Sequence, residues 1–327
     1  MKILLTGGAG FIGMHLCKKL HTLGYEVVNL DSVNDYYDVN LKLSRLEELE
    51  RFEKYTFVKG NMADKELVFR LFEEQKFDAV INLAAQAGVR YSITNPDVYM
   101  ESNVIGFYNI LEACRRYPVR HLVYASSSSV YGNQQKVPFS TEDDVSRPVS
   151  LYAATKKTDE LMAFTYSHLY KIPATGLRFF TVYGPYGRPD MAYFSFTNKL
   201  VRGEPITIFN NGNMKRDFTY IDDIVNGIVN VLDAPPEGED PHALYNIGNS
   251  SPVDLLHFVE TLEGCLIREG VIREPGKKIF APMQPGDVYQ TYADVSALEE
   301  KFRFRPVTTL EEGLSEFAGW YRRYYRG

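Results

Sequence analysis

The sequence predicts an α/β protein, a doubly wound parallel sheet with a smaller mixed α/β lobe. Three observations carry this reading. Short apolar runs alternate with helix-period stretches over residues 1–182, the rhythm of strands joined by crossover helices. A glycine-rich turn stands between the first apolar run and the first helical stretch. The second run ends in an aspartate, roughly 20 residues beyond those glycines.

Lys2 to Thr6 is the first strand, and Gly7, Gly10 and Gly13 follow it with the spacing G-x-x-G-x-x-G. Gly7 permits the tight turn. Gly10 lets backbone N–H groups approach a pyrophosphate at the helix N-terminus, and Gly13 lets the helix pack closely on the strand. Met14 to Leu23 has helical spacing and ends at Gly24. Taken alone, the glycines fit an ordinary strand-to-helix turn. The next strand, Glu26 to Leu30, decides the matter by ending in Asp31. A carboxylate there accepts hydrogen bonds from the adenosine ribose and repels a 2′-phosphate, which reads as NAD rather than NADP in a Rossmann-like sheet.

The alternation continues with a charged amphipathic helix, Leu41 to Phe52, and a strand, Tyr55 to Lys59, leading to Gly60, Asn61 and Met62. Asp64 to Gln75 reads as a helix with an aspartate N-cap. Ala79 to Leu83 is a strand ending in Ala84 and Ala85, small residues that let a cofactor lie against the backbone. Pro96 to Tyr117 is a long helix carrying Asn103, and His121 to Ala125 is a buried strand.

That strand runs into Ser126, Ser127, Ser128 and Ser129, then Val130-Tyr131-Gly132. A helix follows from Tyr152 to about Tyr170 and places Tyr152 and Lys156 on one face. A lysine ammonium beside a phenol favours phenolate. Such a tyrosine can take a proton from an alcohol and return one to a ketone. A serine hydroxyl at the adjacent strand end can hold the same oxygen. With 23 tyrosines in the chain, Tyr-x-x-x-Lys alone says little. The shared position of Asp31, Ala84 and Ser127 at strand ends, where doubly wound sheets bind ligands, gives it weight.

Ala174 to Val182 reads as a strand, and the turn-rich loop 183–191 leaves the sheet. Ala192 to Arg202 is helical, Ile206 to Phe209 strand-like, and residues 215–223 enter a helix. Ala243 to Gly248 is a strand, and Ser251 to Gly270 a helix with Pro252 at its start. Helices at Ser296 to Phe302 and Leu310 to Tyr324 close the chain. The expected division is a dinucleotide-binding domain of residues 1–182 with about 217–249, and a second lobe of about 183–216 with 250–327.

At 327 residues the chain can bury a large core, and 45% hydrophobic with 24% charged residues suits a globular protein. A net charge of -6 argues against a nucleic acid or an anionic membrane as partner. Three scattered cysteines, no signal peptide and no apolar run of spanning length place the chain in a reducing, cytoplasmic setting. No metal-ligand set is assigned.

Gly7 to Gly13, Asp31, Asn103, the serine run and Tyr152-x-x-x-Lys156 together resemble the extended short-chain dehydrogenase/reductase family, essentially end to end. The resemblance implies bound NAD held by the turn residues Gly7, Gly10, Phe11, Ile12 and Gly13, with Asp31 on the ribose. Asn61, Met62, Leu83, Ala84, Ala85 and Ser126 would line the cofactor. Asn61 stands where many relatives have aspartate. It implies that Ser127 and Tyr152 bond the reacting sugar hydroxyl, that Lys156 also holds the nicotinamide ribose, and that Asn103 positions the active-site helix through the backbone. Arg216 would bind the nucleotide diphosphate, and Asp287 a ribose or uracil. Gln284 replaces a family arginine, so no phosphate contact is assigned to it. A homodimer through a four-helix bundle, built from 96–117 and 152–170, is also implied.

Related 4,6-dehydratases carry an Asp-Glu pair, and UDP-glucuronate decarboxylases a glutamate, just before the Val-Tyr-Gly segment. This chain has Ser128 and Ser129 there, which supply no carboxyl group. Epimerisation at C4 needs none. Residues 31–38, 85–91 and 179–191 resemble UDP-glucuronate 4-epimerases. There Thr181 and Arg188 would hold the sugar carboxylate, and Ser128 and Arg90 would face the substrate. The expected reaction is reversible conversion of UDP-glucuronate to UDP-galacturonate through a 4-keto sugar. A UDP-glucose or UDP-N-acetylglucosamine 4-epimerase is the alternative, the decarboxylase is third, and a nucleotide-sensing binding protein without turnover stands outside the enzyme readings.

Overall fold

The computed structural model describes residues 1–283 and 289–326. Twelve strands appear among them: β1 (Lys2–Thr6), β2 (Glu26–Asp31), β3 (Tyr55–Lys59), β4 (Ala79–Asn82), β5 (His121–Ser127), β6 (Ala174–Phe179), β7 (Thr181–Tyr183), β8 (Ile206–Ile208), β9 (Lys215–Tyr220), β10 (His242–Ile247), β11 (Pro252–Asp254) and β12 (Lys278–Phe280). The helices are α1 (Phe11–Thr22), α2 (Val39–Leu49), α3 (Lys65–Gln75), α4 (Tyr91–Thr94), α5 (Asp97–Tyr99), α6 (Gly106–Arg116), α7 (Leu151–Tyr170), α8 (Ala192–Val201), α9 (Ile221–Leu232), α10 (Leu255–Arg268), α11 (Ser296–Phe302) and α12 (Leu310–Arg326).

Seven strands form one sheet in the order β10-β6-β5-β4-β1-β2-β3, and every neighbouring pair is parallel. Its central strands are apolar on both sides, as a sheet covered on both faces requires. Ile3, Leu5 and Val123 face a core with Met14 and Leu20 of α1 and Ile224 and Ile228 of α9. Leu4, Leu122 and Tyr124 point the other way, against Phe72 of α3, Ile110 of α6 and Ala163 of α7. The second lobe is mixed. Strand β9 pairs antiparallel with β11 and parallel with β7, while β8 and β12 form a separate parallel pair. The predicted doubly wound sheet with a smaller mixed lobe is what the chain forms.

Several expected elements differ, among them residues 215–220, expected to enter a helix, which form strand β9. The run expected as one strand to Val182 breaks at Phe180, whose amide donates to Ile247 O at 3.1 Å. Strand β6 stays in the large sheet, and β7 crosses to the small one. Pro252 opens no helix. Residues 252–254 pair with β9 and the helix begins at Leu255, because the buried Asp217 carboxylate gathers the amides of Asn249 and Ser250 at 2.9 and 3.0 Å. The helix expected over 96–117 is continuous, but Met100–Ile105 is wound as a π-helix.

Helix α7 is tied to the sheet by buried charge. Arg178 of β6 meets Glu160 through Nε–Oε1 at 2.8 Å and Nη2–Oε2 at 2.9 Å, and the two are 1% and 2% exposed. Ser126 Oγ donates to the same carboxylate at 2.7 Å. Arg178 Nη1 also donates to Tyr131 OH, which donates in turn to Asn246 of β10. Arg178 and Ser126 hold Glu160 below its ordinary carboxyl range although burial opposes this. Removing one member leaves the other as an unpaired buried charge. Arg178→Ala is therefore expected to lose about 3–5 kcal/mol in urea denaturation; a loss under about 1 kcal/mol would contradict this role.

Candidate active site

The carboxyl ends of β1, β2, β4 and β5 open onto one cavity of 290 Å³. Gly7 begins the turn with φ +82°, and its N–H donates to Leu30 O at 2.9 Å. A Cβ on Gly7 would stand 2.8 Å from Ala84 N, and one on Gly13 only 2.2 Å from Gly7 O. Helix α1 follows with Gly10 at its N-cap and no side-chain cap. The first amides of a helix have no intrahelical acceptor; Gly10 N–H donates back to Gly7 O at 3.0 Å, which leaves Phe11, Ile12 and Gly13, all on the cavity wall, as the anion-receiving end.

Asp31 closes β2 on the same wall. Its carboxylate accepts Ala9 N at 3.0 Å and Val33 N at 2.8 Å. Burial raises its pKa against those two bonds and against nearby Lys42. Asn61, Met62, Leu83, Ala84, Ala85 and Ser126 also line the cavity. Asn61 donates to Glu101 at 3.0 Å, and the Ser126 hydroxyl is committed to Glu160.

Ser150 caps α7 by accepting Ala153 N at 3.1 Å, which sets the first turn at the cavity. Tyr152 and Lys156 both reach the wall. Lys156 Nζ donates to Ala125 O at 2.8 Å and to Asp159 Oδ2 at 3.1 Å. Ser127 reaches the cavity from the end of β5; its Oγ accepts Ser129 N and donates to Ser129 Oγ, both at 3.1 Å. Asn103 sits behind the wall, within the π-helical turn. It brackets the Gln86 backbone, accepting from N at 2.8 Å and donating to O at 3.1 Å, and donates to Thr155 Oγ1 at 3.0 Å. The Thr155 hydroxyl donates to Tyr152 O at 2.8 Å. Asn103 thus reaches the helix through a threonine side chain as well as steadying the β4 loop.

Arg188 completes the wall and forms a two-pronged pair with Asp190, Nε–Oδ1 at 3.0 Å and Nη2–Oδ2 at 2.6 Å. Four other expected site residues lie off this wall. Ser128 opens a short 3₁₀ turn, and Thr181 begins β7. The Arg90 guanidinium lies over the Phe209 ring, and Arg216 Nη1 donates to Tyr289 O at 3.2 Å. Asp287 and Gln284 lie outside the described residues.

The charged residues of α2 escaped the sequence reading. Lys42 lines the cavity, and its Nζ donates to Asn34 O and Oδ1, both at 2.6 Å. Burial lowers its pKa to about 8. Arg45, 0% exposed, donates to Ala9 O at 2.9 Å and Tyr186 O at 2.7 Å, tying the glycine turn to the loop that carries Arg188. The available signal was their spacing with buried Leu41, Leu46 and Leu49 on a short helix.

Residues 3–248 match the NAD dependent epimerase/dehydratase family. The chain belongs to that family. Protein CapI of Staphylococcus aureus is 50% identical over the whole of both chains. A probable UDP-glucuronate 4-epimerase of Rhizobium meliloti is 43% identical over 100% of this chain and 98% of its own length. A UDP-glucuronic acid 4-epimerase from Bacillus cereus, solved with UDP-glucuronic acid and NAD, superposes with a TM-score of 0.90 at 33% identity, covering 99% of this chain and 100% of that one.

NAD is the cofactor of this family, and the cavity fits it: an uncapped helix end for a pyrophosphate, a glycine turn with no room for side chains, and a carboxylate at the next strand end. Gly13→Ala would force the turn open. NAD affinity, measured by titration, is expected to fall at least about tenfold.

Proposed function

We propose that this family member interconverts UDP-glucuronate and UDP-galacturonate by NAD-dependent 4-epimerisation. The observation that carries the reading is a single cavity joining Ser127, Tyr152, Lys156 and Arg188 to the glycine turn, with serines rather than carboxylic acids at positions 128 and 129. NAD, when bound beside the glycine turn, would supply a reversible hydride acceptor for C4. Tyr152 takes the proton of the C4 hydroxyl and gives it back after the 4-keto sugar has presented its other face. Lys156 stabilises the phenolate, and Ser127 holds the reacting oxygen. No further acid is needed, which suits Ser128 and Ser129.

A 4-keto glucuronate is a β-keto acid and loses carbon dioxide when the C5–carboxylate bond aligns with the ketone. We assign Arg188 to hold the carboxylate out of that alignment, with Thr181 assisting and Asp190 fixing the guanidinium on the cavity wall. Arg216 and Asp287 from the second lobe formed by about 183–216 and 250–327, together with Arg90 and Ser128 from the first domain, are assigned to the UDP-sugar. The dinucleotide domain, 1–182 with about 217–249, holds NAD.

Exposed Met100, Ile105 and Tyr108 lie along one helical run and exposed Leu161, Phe164 and Leu169 along α7, which supports a homodimer through a four-helix bundle. Cys17, Cys114 and Cys265 are buried free thiols, which supports a reducing, cytoplasmic setting. No helix among the described residues is long and apolar enough to cross a membrane.

NMR of the purified protein with UDP-glucuronate and no added NAD tests the reaction. UDP-galacturonate is the expected product, and Tyr152→Phe should slow its formation at least about 100-fold. Arg188→Ala should lower kcat/KM roughly 10- to 100-fold and raise carbon dioxide release. Pentose products from the unaltered protein would point to a decarboxylase, and turnover of UDP-glucose alone to a neutral-sugar epimerase. Phe164→Glu should convert a dimer to monomers in analytical ultracentrifugation; an unchanged sedimentation coefficient would remove the bundle.

A further inference from the structure

Asp159 is a buried carboxylate that the proposed reaction does not use. It stands one turn beyond Lys156 on α7 and is 1% exposed. Its Oδ2 lies 3.1 Å from Lys156 Nζ, while its Oδ1 is buried without a hydrogen-bond partner. A half-satisfied buried carboxylate is a costly way to fill space. The anchoring of α7 does not call for it, since Glu160 and Arg178 already form that tie one residue away. What Asp159 contacts is the ammonium that faces the candidate catalytic centre. Lys156 has three donors, of which Ala125 O and Asp159 take two.

We propose that Asp159 is a positioning residue that fixes the Lys156 ammonium and, through its charge, sets the pH at which Tyr152 serves as base. The inference rests on the reading of Tyr152 as that base. A negative charge against the ammonium cancels part of the field that favours phenolate.

Burial pushes the Asp159 carboxyl up to about 7, against the pull of Lys156. The groups facing it are Lys156 and Glu160 on its own helix and Tyr124 from β5, while Tyr152 itself is faced by Arg188 from the 183–191 loop and Tyr99 from α5, both pushed above their ordinary values and constant in charge near neutrality. Glu160 is held ionised by Arg178, and burial drives Tyr124 well above its ordinary value, so neither changes charge near neutrality. Asp159 does. As pH falls it takes up a proton, the Lys156 charge stands uncompensated, and phenolate is favoured just as solution acidity opposes it. The two titrations are coupled, and the acid limb of the rate profile is spread over a wider range than one proton would give.

The test is the pH profile of kcat/KM for the NAD-bound enzyme and for Asp159→Asn and Asp159→Ala, with thermal melting alongside. The expected result is an acid limb moved to lower pH by about one unit in both variants and steepened to a single-proton slope. In the unaltered enzyme, the tyrosinate absorbance lost in Tyr152→Phe should titrate more broadly than one proton. A purely structural role would lower the melting temperature and leave the limb in place, and that result overturns the proposal. A sharp one-proton tyrosinate titration in the unaltered enzyme overturns it too, and decides the matter if neither variant folds. Full activity in Tyr152→Phe would instead remove the base assignment itself.

Discussion

Two charges with almost no access to water, Glu160 and Arg178, hold the active-site helix against the sheet. Both prongs of the guanidinium are matched, a serine from β5 fills a further acceptor site, and a tyrosine takes another donor. Such a pair survives desolvation only with that completeness of bonding. Its geometry fixes α7 to β5 and β6 together. The positions of Tyr152 and Lys156 relative to Ser127 follow from it, because all three hang from those elements.

The dinucleotide end is built by a different logic. There the backbone forms the cavity wall, and side chains are excluded by close approach, as Gly13 against Gly7 O illustrates. Arg45 couples the two ends. By bonding carbonyls of both the glycine turn and the loop before Arg188, it makes the cofactor end and the sugar end parts of one rigid frame.

Much of this was legible in the chain. The strand, glycine turn and helix at the N-terminus are local patterns, and so are Asp31 at its strand end and the Tyr152–Lys156 spacing. Long-range partners were not. Lys42 and Arg45 lie on a helix legible only as charged and amphipathic, and the folded loops 34–37 and 186–187 reveal that they are enclosed. Nothing local in the sequence marks Asp159, whose burial depends on the sheet beneath α7. Pro252 carries a helix-start signal that lost to pairing with β9, and the break at Phe180 depends on Ile247, far along the chain. Thr181, Arg90 and Arg216 were named from resemblance, and all three lie off the main cavity.

The π-helical turn at Met100–Ile105 holds one residue more than an α-turn would. One residue corresponds to about 100° of rotation around a helix. The extra residue therefore acts as an angular offset, letting Asn103 aim inward at Gln86 and Thr155 while Met100, Ile105 and Tyr108 remain on the outside. Deleting it would leave sequence content almost unchanged yet twist the two halves of the helix out of phase. Either the inward asparagine or the outward apolar stripe would then be lost, so this helix is more tolerant of substitution than of a change in length.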